Sequence, residues 1–371
     1  MIYQTLGQTS LSRLGMGNMR LPVQDDRRGA PIDYPRAQEI IDYAIASGIN
    51  YFDTAYTYHN GESEPFLGEA LSRYPRDGYH LATKFFILAD ADYRAVFERQ
   101  LARLKTDRID FYLIHAVFDH TCRQYFDSGC IEYFLGQKRA GRIRHLGFSS
   151  HASVETLETF ADHHAWDFAQ IQLNCFDWRY GTAKLEYEAL DKRGIPVMAM
   201  EPVRGGRLAA LSPAAEKPLR DAHPDWSVAS WALRWVKRLP AVRVILSGMS
   251  AMEQIRDNVS TFADERALTD AEEALLMEAC EIFRREVSVP CTACRYCVDG
   301  CPTKISIPEF LAVYNRYKTD GVWALDDLDD IESDGKPADC IACGACAEHC
   351  PQNIDIQGLM RELAVLREKK A

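Results

Sequence analysis

Eight short apolar segments alternate with amphipathic helical patterns over residues 1–285, and two cysteine groups of identical spacing follow. No G-x-G-x-x-G follows the first strand. These three observations predict an α/β chain. Residues 1–285 form a (β/α)8 TIM barrel, and residues 286–371 form a small appended α+β domain. A doubly wound sheet is the runner-up, weakened by the missing glycine fingerprint. The length of 371 residues agrees, since roughly 150 residues per domain gives two domains, or one large domain with an appendage.

The elements follow in order. A hairpin is expected first, from YQTL and then LSRL. The predicted strands are Leu14–Met16, Asn50–Thr54, His80–Lys84, Ile109–Ile114, Arg144–Phe148, Phe168–Leu173, Val197–Met200 and Val242–Leu246. Helical patterns separate them. In AQEIIDYAIASG the apolar positions recur at spacings of three and four, and Gly48 supplies the stop. A further helix over Leu268–Glu286 leads to the cysteine-rich domain, and PEFLAVYNRYK predicts another between the two cysteine groups.

Composition narrows the class. Hydrophobic residues make up 47% and charged residues 26%, the balance of a globular protein rather than a disordered or fibrous one. No run of about 18 uncharged apolar residues is present, so no membrane span is expected. The opening MIYQTLGQTS has neither a basic n-region nor an apolar h-region, so no secretory signal is expected there and a cytoplasmic setting is. With 43 basic and 54 acidic residues the net charge is −11, which disfavours nucleic acid and anionic membrane as partners.

Of twelve cysteines, Cys122, Cys130, Cys175 and Cys280 are scattered and read as core or surface thiols. The other eight form Cys291, Cys294, Cys297, Cys301 and Cys340, Cys343, Cys346, Cys350. Each group reads C-x2-C-x2-C-x3-C-P, closed by Pro302 and Pro351. A disulfide scaffold would belong to a short secreted chain. Zinc remains a rival, because C-x2-C pairs also suit a tetrahedral thiolate site. The spacing matches the bacterial-type 2x[4Fe-4S] ferredoxin-like run, in which the fourth cysteine ligates the other cluster. The expected sets are Cys291, Cys294, Cys297 with Cys350, and Cys340, Cys343, Cys346 with Cys301. Between Cys291 and Cys350 stand five basic and eleven acidic residues, a balance of −6. The acidic run Asp326–Asp334 reads either as a solvated linker or as a docking face for a redox partner protein.

Barrel enzymes carry their chemistry at the C-terminal ends of strands. Asp53 closes NYFDTA, Lys84 closes HLATK, His115 closes DFYLIH, and Tyr58 lies just after Asp53. Each alone has a plain structural explanation; four at the mouths of three consecutive strands do not. FDTAYTY, LATKF and IDFYLIH, in this order and spacing, resemble the aldo-keto reductase superfamily over about residues 1–285. With the cysteine groups, the chain is similar to the bacterial subgroup bearing a C-terminal ferredoxin-like domain with two [4Fe-4S] clusters. The resemblance implies a catalytic tetrad of Asp53, Tyr58, Lys84 and His115.

The chemistry can be stated independently. Reducing a carbonyl requires a hydride on carbon and a proton on oxygen. A tyrosine, with an ordinary pKa of about 10, is a poor acid near neutrality. An ammonium beside its hydroxyl stabilises the phenolate. Lys84 supplies that charge, Asp53 orients Lys84, and His115 positions the carbonyl oxygen.

The resemblance also implies a nicotinamide cofactor, NADP(H) by family habit, with NAD as the alternative. Its carboxamide falls to Ser149, Ser150 and Gln170, with Ser150 standing where the family usually has Asn. Met200 stands where an aromatic often covers the ring. SGMSAMEQIRDN resembles the adenosine-phosphate loop and implies Ser250, Gln254 and Asn258. Arg204, Arg207 and Arg256 are phosphate candidates, and His59 replaces the glycine that commonly follows the tetrad tyrosine. A flavin at the loops after the last two strands is a further cofactor candidate, because it would link two-electron hydride to one-electron clusters. Tyr56, Phe118 and Trp178 are candidate pocket aromatics.

Three functions follow. The first is NADP(H)-dependent interconversion of a small-molecule carbonyl and an alcohol. The second is flavin- or partner-linked electron transfer through the clusters. The third is a non-catalytic module that senses nicotinamide, against which the intact tetrad argues.

Overall fold

A computed structural model of the chain describes residues 1–25, 30–291, 293–350 and 352–370. Pro351, the proline of the second cysteine group, lies outside the described residues. The chain folds into two compact units. The first comprises 1–203 and 225–277, the second 204–224 and 278–371.

The first unit opens with a hairpin, β1 (Tyr3–Leu6) and β2 (Thr9–Ser12). Its second strand starts two residues before LSRL because Gly7, at φ 58°, allows a two-residue turn that pairs Leu6 with Thr9. Eight parallel strands follow: β3 (Leu14–Gly17), β4 (Tyr51–Asp53), β5 (His80–Phe85), β6 (Ile109–Val117), β7 (Ile143–Ser150), β8 (Phe168–Gln172), β9 (Val197–Met200) and β10 (Val242–Ser247). Neighbours in sequence are neighbours in space, and β10 pairs with both β9 and β3, so the barrel closes. The eight predicted strands are these eight.

The helices between them begin where short polar side chains can cap them. Asp33 accepts from the Arg36 amide ahead of Tyr34–Ala46, with a proline at its start. Ser153 does the same for Val154–His163, and Asn174 for Cys175–Tyr180. Inside the barrel, Tyr51, Phe111 and Phe168 meet edge to face, with ring centroids 5.0 Å and 5.4 Å apart. Leu6 and Leu11 of the hairpin join this cluster. Gly15 is required by the packing: a Cβ there would stand 2.6 Å from Val244 Cγ1.

The second unit is helical, with one isolated parallel bridge, Ile305–Gly335, among the described residues. The helix Ile307–Asp320 realises the predicted PEFLAVYNRYK helix and buries Phe310, Leu311 and Tyr314. The acidic stretch keeps most of its carboxylates exposed, while its start is anchored to the unit. Residues Val322–Leu328 form a 3-10 helix that buries Ala324, Leu325 and Leu328. Arg316 pairs with Asp327 at 2.6 Å, and Arg367 pairs with Asp329. No described helix is long and apolar enough to cross a membrane.

Candidate active site and cysteine-lined cavities

Parallel pairing brings the C-terminal ends of all eight strands to one rim. Asp53 ends β4, Lys84 is next to last in β5, and His115 lies near the end of β6. Strand β6 continues beyond its predicted end through a register irregularity between Ile114 and Val117, with Ala116 at φ 51°. Such irregularities re-aim side chains at barrel rims.

Lys84 is fully buried, and its Nζ donates to Asp53 Oδ1 at 2.5 Å and to the Thr54 carbonyl at 2.6 Å. Burial alone would depress the lysine, but Asp53 and Tyr58 outweigh it and hold its pKa above the ordinary value. Burial pushes Asp53 up despite Lys84. The Lys84 ammonium lies 4.9 Å from the centroid of the Tyr58 ring. It pulls the tyrosine down as expected, yet burial wins and the phenol's pKa stands above its usual 10. At neutral pH Tyr58 therefore carries its proton, the form a general acid needs.

His115 meets Tyr58 edge-on at 5.9 Å and Phe86 at 5.5 Å. Burial, then Lys84 and His151, hold its pKa well below the ordinary histidine value, so the ring is neutral. Among the described residues, four buried polar atoms of this rim have no hydrogen-bond partner: Asn18 Oδ1, Asp53 Oδ2, His115 Nδ1 and Gln170 Oε1. An unpaired buried polar atom is costly, and at a strand mouth it marks where a polar ligand would complete the set. The orphaned Gln170 oxygen fits a carboxamide donor, as expected of a nicotinamide.

The remaining expected cofactor residues have partners of several kinds. Gln170 Nε2 donates to Met200 Sδ at 3.5 Å, which fixes the amide beside the half-buried thioether. Ser149 Oγ accepts the Ala116 amide at 2.8 Å and retains its own proton to donate. Ser150 Oγ accepts the Ala152 amide at 3.2 Å. Ser250 Oγ donates to the Arg20 carbonyl at 2.6 Å, and Gln254 Oε1 caps the helix Met252–Ala263 through the Ser250 and Ala251 amides. Asn258 is buried and donates to Ser247 Oγ at 2.9 Å.

Arg204 and Arg207 belong to the second unit. There Arg204 pairs with Asp320 at 2.5 Å, and Arg207 donates to the Tyr317 carbonyl at 3.3 Å. The flavin considered for this glycine-containing stretch gains no support. Tyr56 is held by Arg103, 4.6 Å from its ring, and by Arg99. Trp178 packs on Trp235 and Tyr187, so both aromatics serve packing.

Sequence reasoning missed two residues. Asn18 Nδ2 donates to the Asp53 carbonyl at 2.9 Å, and Asn174 Nδ2 donates to the Glu201 carbonyl at 3.1 Å beside Met200. Both were within reach. Asn18 directly follows the first barrel strand, and Asn174 continues the every-second-residue spacing of Gln170 and Gln172.

In the second unit, two cavities are each bordered by four cysteines. One is lined by Cys291, Cys294, Cys297 and Cys350. The other is lined by Cys301, Cys340, Cys343 and Cys346. Each therefore combines three thiols of one group with the last thiol of the other. Among the described residues no three His, Cys, Asp or Glu side chains converge closely enough for a lone metal ion. Four thiols around each cavity are the donor set that a [4Fe-4S] cluster takes.

Fold and rim together define an oxidoreductase built on a TIM barrel with a tyrosine–lysine–carboxylate–histidine set. Residues 13–281 match the Aldo/keto reductase family, and the chain belongs to it. Residues 290–354 match the 4Fe-4S dicluster domain. The uncharacterized oxidoreductase YqkF of Bacillus subtilis is 28% identical over 71% of this chain and 90% of its own. The NADH-specific methylglyoxal reductase of Escherichia coli is 25% identical over 76% of this chain and 98% of its own. An aldo-keto reductase of Bacillus halodurans, solved in a holo form, superposes with a TM-score of 0.63. It is 26% identical, and the match covers 75% of this chain and 96% of that one.

Proposed function

We propose that the chain interconverts an aldehyde or ketone and the corresponding alcohol with NADP(H), using Tyr58 as general acid and base. The observation that carries this reading is the buried Lys84–Asp53 ion pair, with the Lys84 ammonium 4.9 Å from the centre of the Tyr58 ring. A bound nicotinamide supplies the hydride. Tyr58 gives its hydroxyl proton to the carbonyl oxygen as charge develops there. Lys84 stabilises the phenolate left behind, and Asp53 keeps Lys84 charged and aimed. Neutral His115 orders the carbonyl oxygen against Tyr58. In the alcohol-to-carbonyl direction the same groups act in reverse.

Ser149 and Gln170 hold the carboxamide, and Met200 covers the ring. Ser250, just before the helix Met252–Ala263, and Gln254 and the exposed Arg256 on it would take the phosphates, where the helix N-terminus favours negative charge. The NADH-specific relative makes NADH the comparison cofactor in every assay.

The test compares Tyr58→Phe with the parent chain, following NADPH oxidation with an aldehyde panel that includes methylglyoxal. Loss of the general acid should lower kcat by about 10²- to 10⁴-fold while the visible cluster spectrum is kept. Unchanged turnover would exclude the role given to Tyr58.

Two [4Fe-4S] clusters are held crosswise in the two cavities, supported by the three-plus-one lining of each. Cys350→Ser and Cys294→Ser should then abolish the same paramagnetic resonance signal, and Cys343→Ser the other. Pairing of Cys350 with Cys343 in this assay would overturn the crossed assignment. A second reading, electron exchange with a redox partner protein, is favoured by the exposure of Cys294, Cys343 and Ile341 at the cavity mouths.

A further inference from the structure

The loop that carries Tyr58 bends through two consecutive non-glycine residues in the left-handed region, His59 at φ 51°, ψ 46° and Asn60 at φ 54°, ψ 31°. A side chain there costs roughly 1–2 kcal/mol that glycine would not incur. Strain of this kind persists only where the surroundings hold it. The His59 ring makes the holding contact. The Leu21 amide donates to its Nε2 at 3.2 Å, and the Met19 carbonyl is its other backbone partner.

That contact completes a seam between residues 18–21, which follow β3, and residues 53–63. Asn18 Nδ2 donates to the Asp53 carbonyl, Ser63 Oγ donates to the Asn18 carbonyl at 3.1 Å, and the Ser63 and Thr54 hydroxyls meet at 2.8 Å. Asp53 and Tyr58 both project from the second strip. Of these stitches only the one at His59 depends on a protonation state. Its Nε2 can accept the Leu21 N–H only while the ring is neutral.

We propose that His59 is a positioning residue for Tyr58, a clamp that closes when its ring is neutral and opens when it is protonated. The proposal rests on the role given to Tyr58 above. Two charged side chains among the described residues stand on the segments that meet at the ring, residues 54–62 and 18–21. On its own loop Glu62 favours protonation, and its carboxylate is also within 3.4 Å of the Ile32 amide. On the facing segment the charged side chain is Arg20, 4.0 Å from Glu201. Burial outweighs Glu62 and holds the imidazole below its ordinary pKa of 6.5, so the clamp is closed at neutral pH. His115 is likewise held below its ordinary value, by burial first and then by Lys84 and His151, and it is present unchanged in every variant compared below.

The experiment compares the full chain with His59→Gln and His59→Gly. Glutamine offers an acceptor near the Nε2 position and does not titrate. Glycine removes the acceptor and tolerates the positive φ, so it adds no strain. Two readouts are taken from pH 7 to pH 5: kcat/KM for carbonyl reduction, and hydrogen-exchange protection of the Leu21 amide. Glycine should lower kcat/KM about tenfold, the scale of a modest misplacement of a reacting group. Glutamine should stay within about twofold of the parent at pH 7 and lose the drop seen as the pH falls. Leu21 protection should fall with pH in the parent and remain level in the glutamine variant. An unchanged glycine variant, or a glutamine variant that keeps the parent's acid drop, would overturn the clamp. Protection of Leu21 is read without turnover. If the parent reduces no carbonyl yet Leu21 behaves as described, the assigned reaction fails and the clamp stands.

Discussion

Two buried carboxylates at opposite ends of the barrel divide structural from chemical use of the same side chain. Asp110 opens β6 at the N-terminal end. Its Oδ2 accepts the Leu81 amide at 3.0 Å and Arg76 at 2.6 Å, with Arg144 and His80 within 4 Å of Oδ1. Although burial opposes ionisation, the hydrogen bonds from His80 and the Leu81 amide and the Arg76 guanidinium bring its pKa down to about 2. Asp53 ends β4 at the other rim, where Lys84 is the partner of Oδ1 and Oδ2 has none. Burial raises it. A carboxylate whose acceptors are all used is committed to the fold, whereas one with a buried, idle oxygen keeps capacity for a ligand.

The largest expected effect breaks the functional side. Asp53→Asn strips Lys84 of the charge that keeps it protonated, and kcat should fall by at least about 10²-fold, in the range of a lost acid–base group. Retention of activity within a factor of a few would remove Asp53 from the site. Next comes the structural side. Asp110→Asn leaves Arg76 without its carboxylate and should destabilise the barrel by roughly 3 kcal/mol, as breaking buried pairs does. Its kcat/KM at 25 °C should remain within about twofold of the parent. The double dissociation, activity lost at Asp53 and stability lost at Asp110, is measured by denaturation and kinetics on the same preparations.

The smallest effect is the pH dependence, and its sign differs between the two. The folded pKa of Asp110 lies below its unfolded value, so its stabilisation is complete above about pH 4 and is lost as pH falls toward 2. A shift of this size is worth about 2 kcal/mol. Asp53 shifts the other way, so its protonation on acidification favours the folded state. Acid unfolding of Asp110→Asn should accordingly be less steep than that of the parent below pH 4.

The contrast also explains what the sequence could reveal. Strand order and barrel closure follow from eight apolar runs, and the tetrad positions from three of them that close on an ionisable residue; such runs are local. Asp110 opens the run DFYLIH and looks no different from Asp53, because Arg76 and Arg144, which commit it, lie more than 30 residues away on either side. The same limit hid how the start of the acidic stretch is anchored. Its charges pair with Arg316 and Arg367, and its apolar residues Leu325 and Leu328 reach a core that no periodicity announces. Cysteine spacing escaped the limit, since ligands of one cluster must be close in sequence except for the fourth.

The most direct measurement of the central claim follows the hydride. The chain is incubated anaerobically with NADPH deuterated at the transferring position and with a reducible aldehyde, while cluster absorbance is recorded. The account expects one deuterium on the carbinol carbon of the product per NADPH consumed, with the clusters unchanged. Bleaching of the clusters by NADPH, with no deuterium reaching the product, would contradict it.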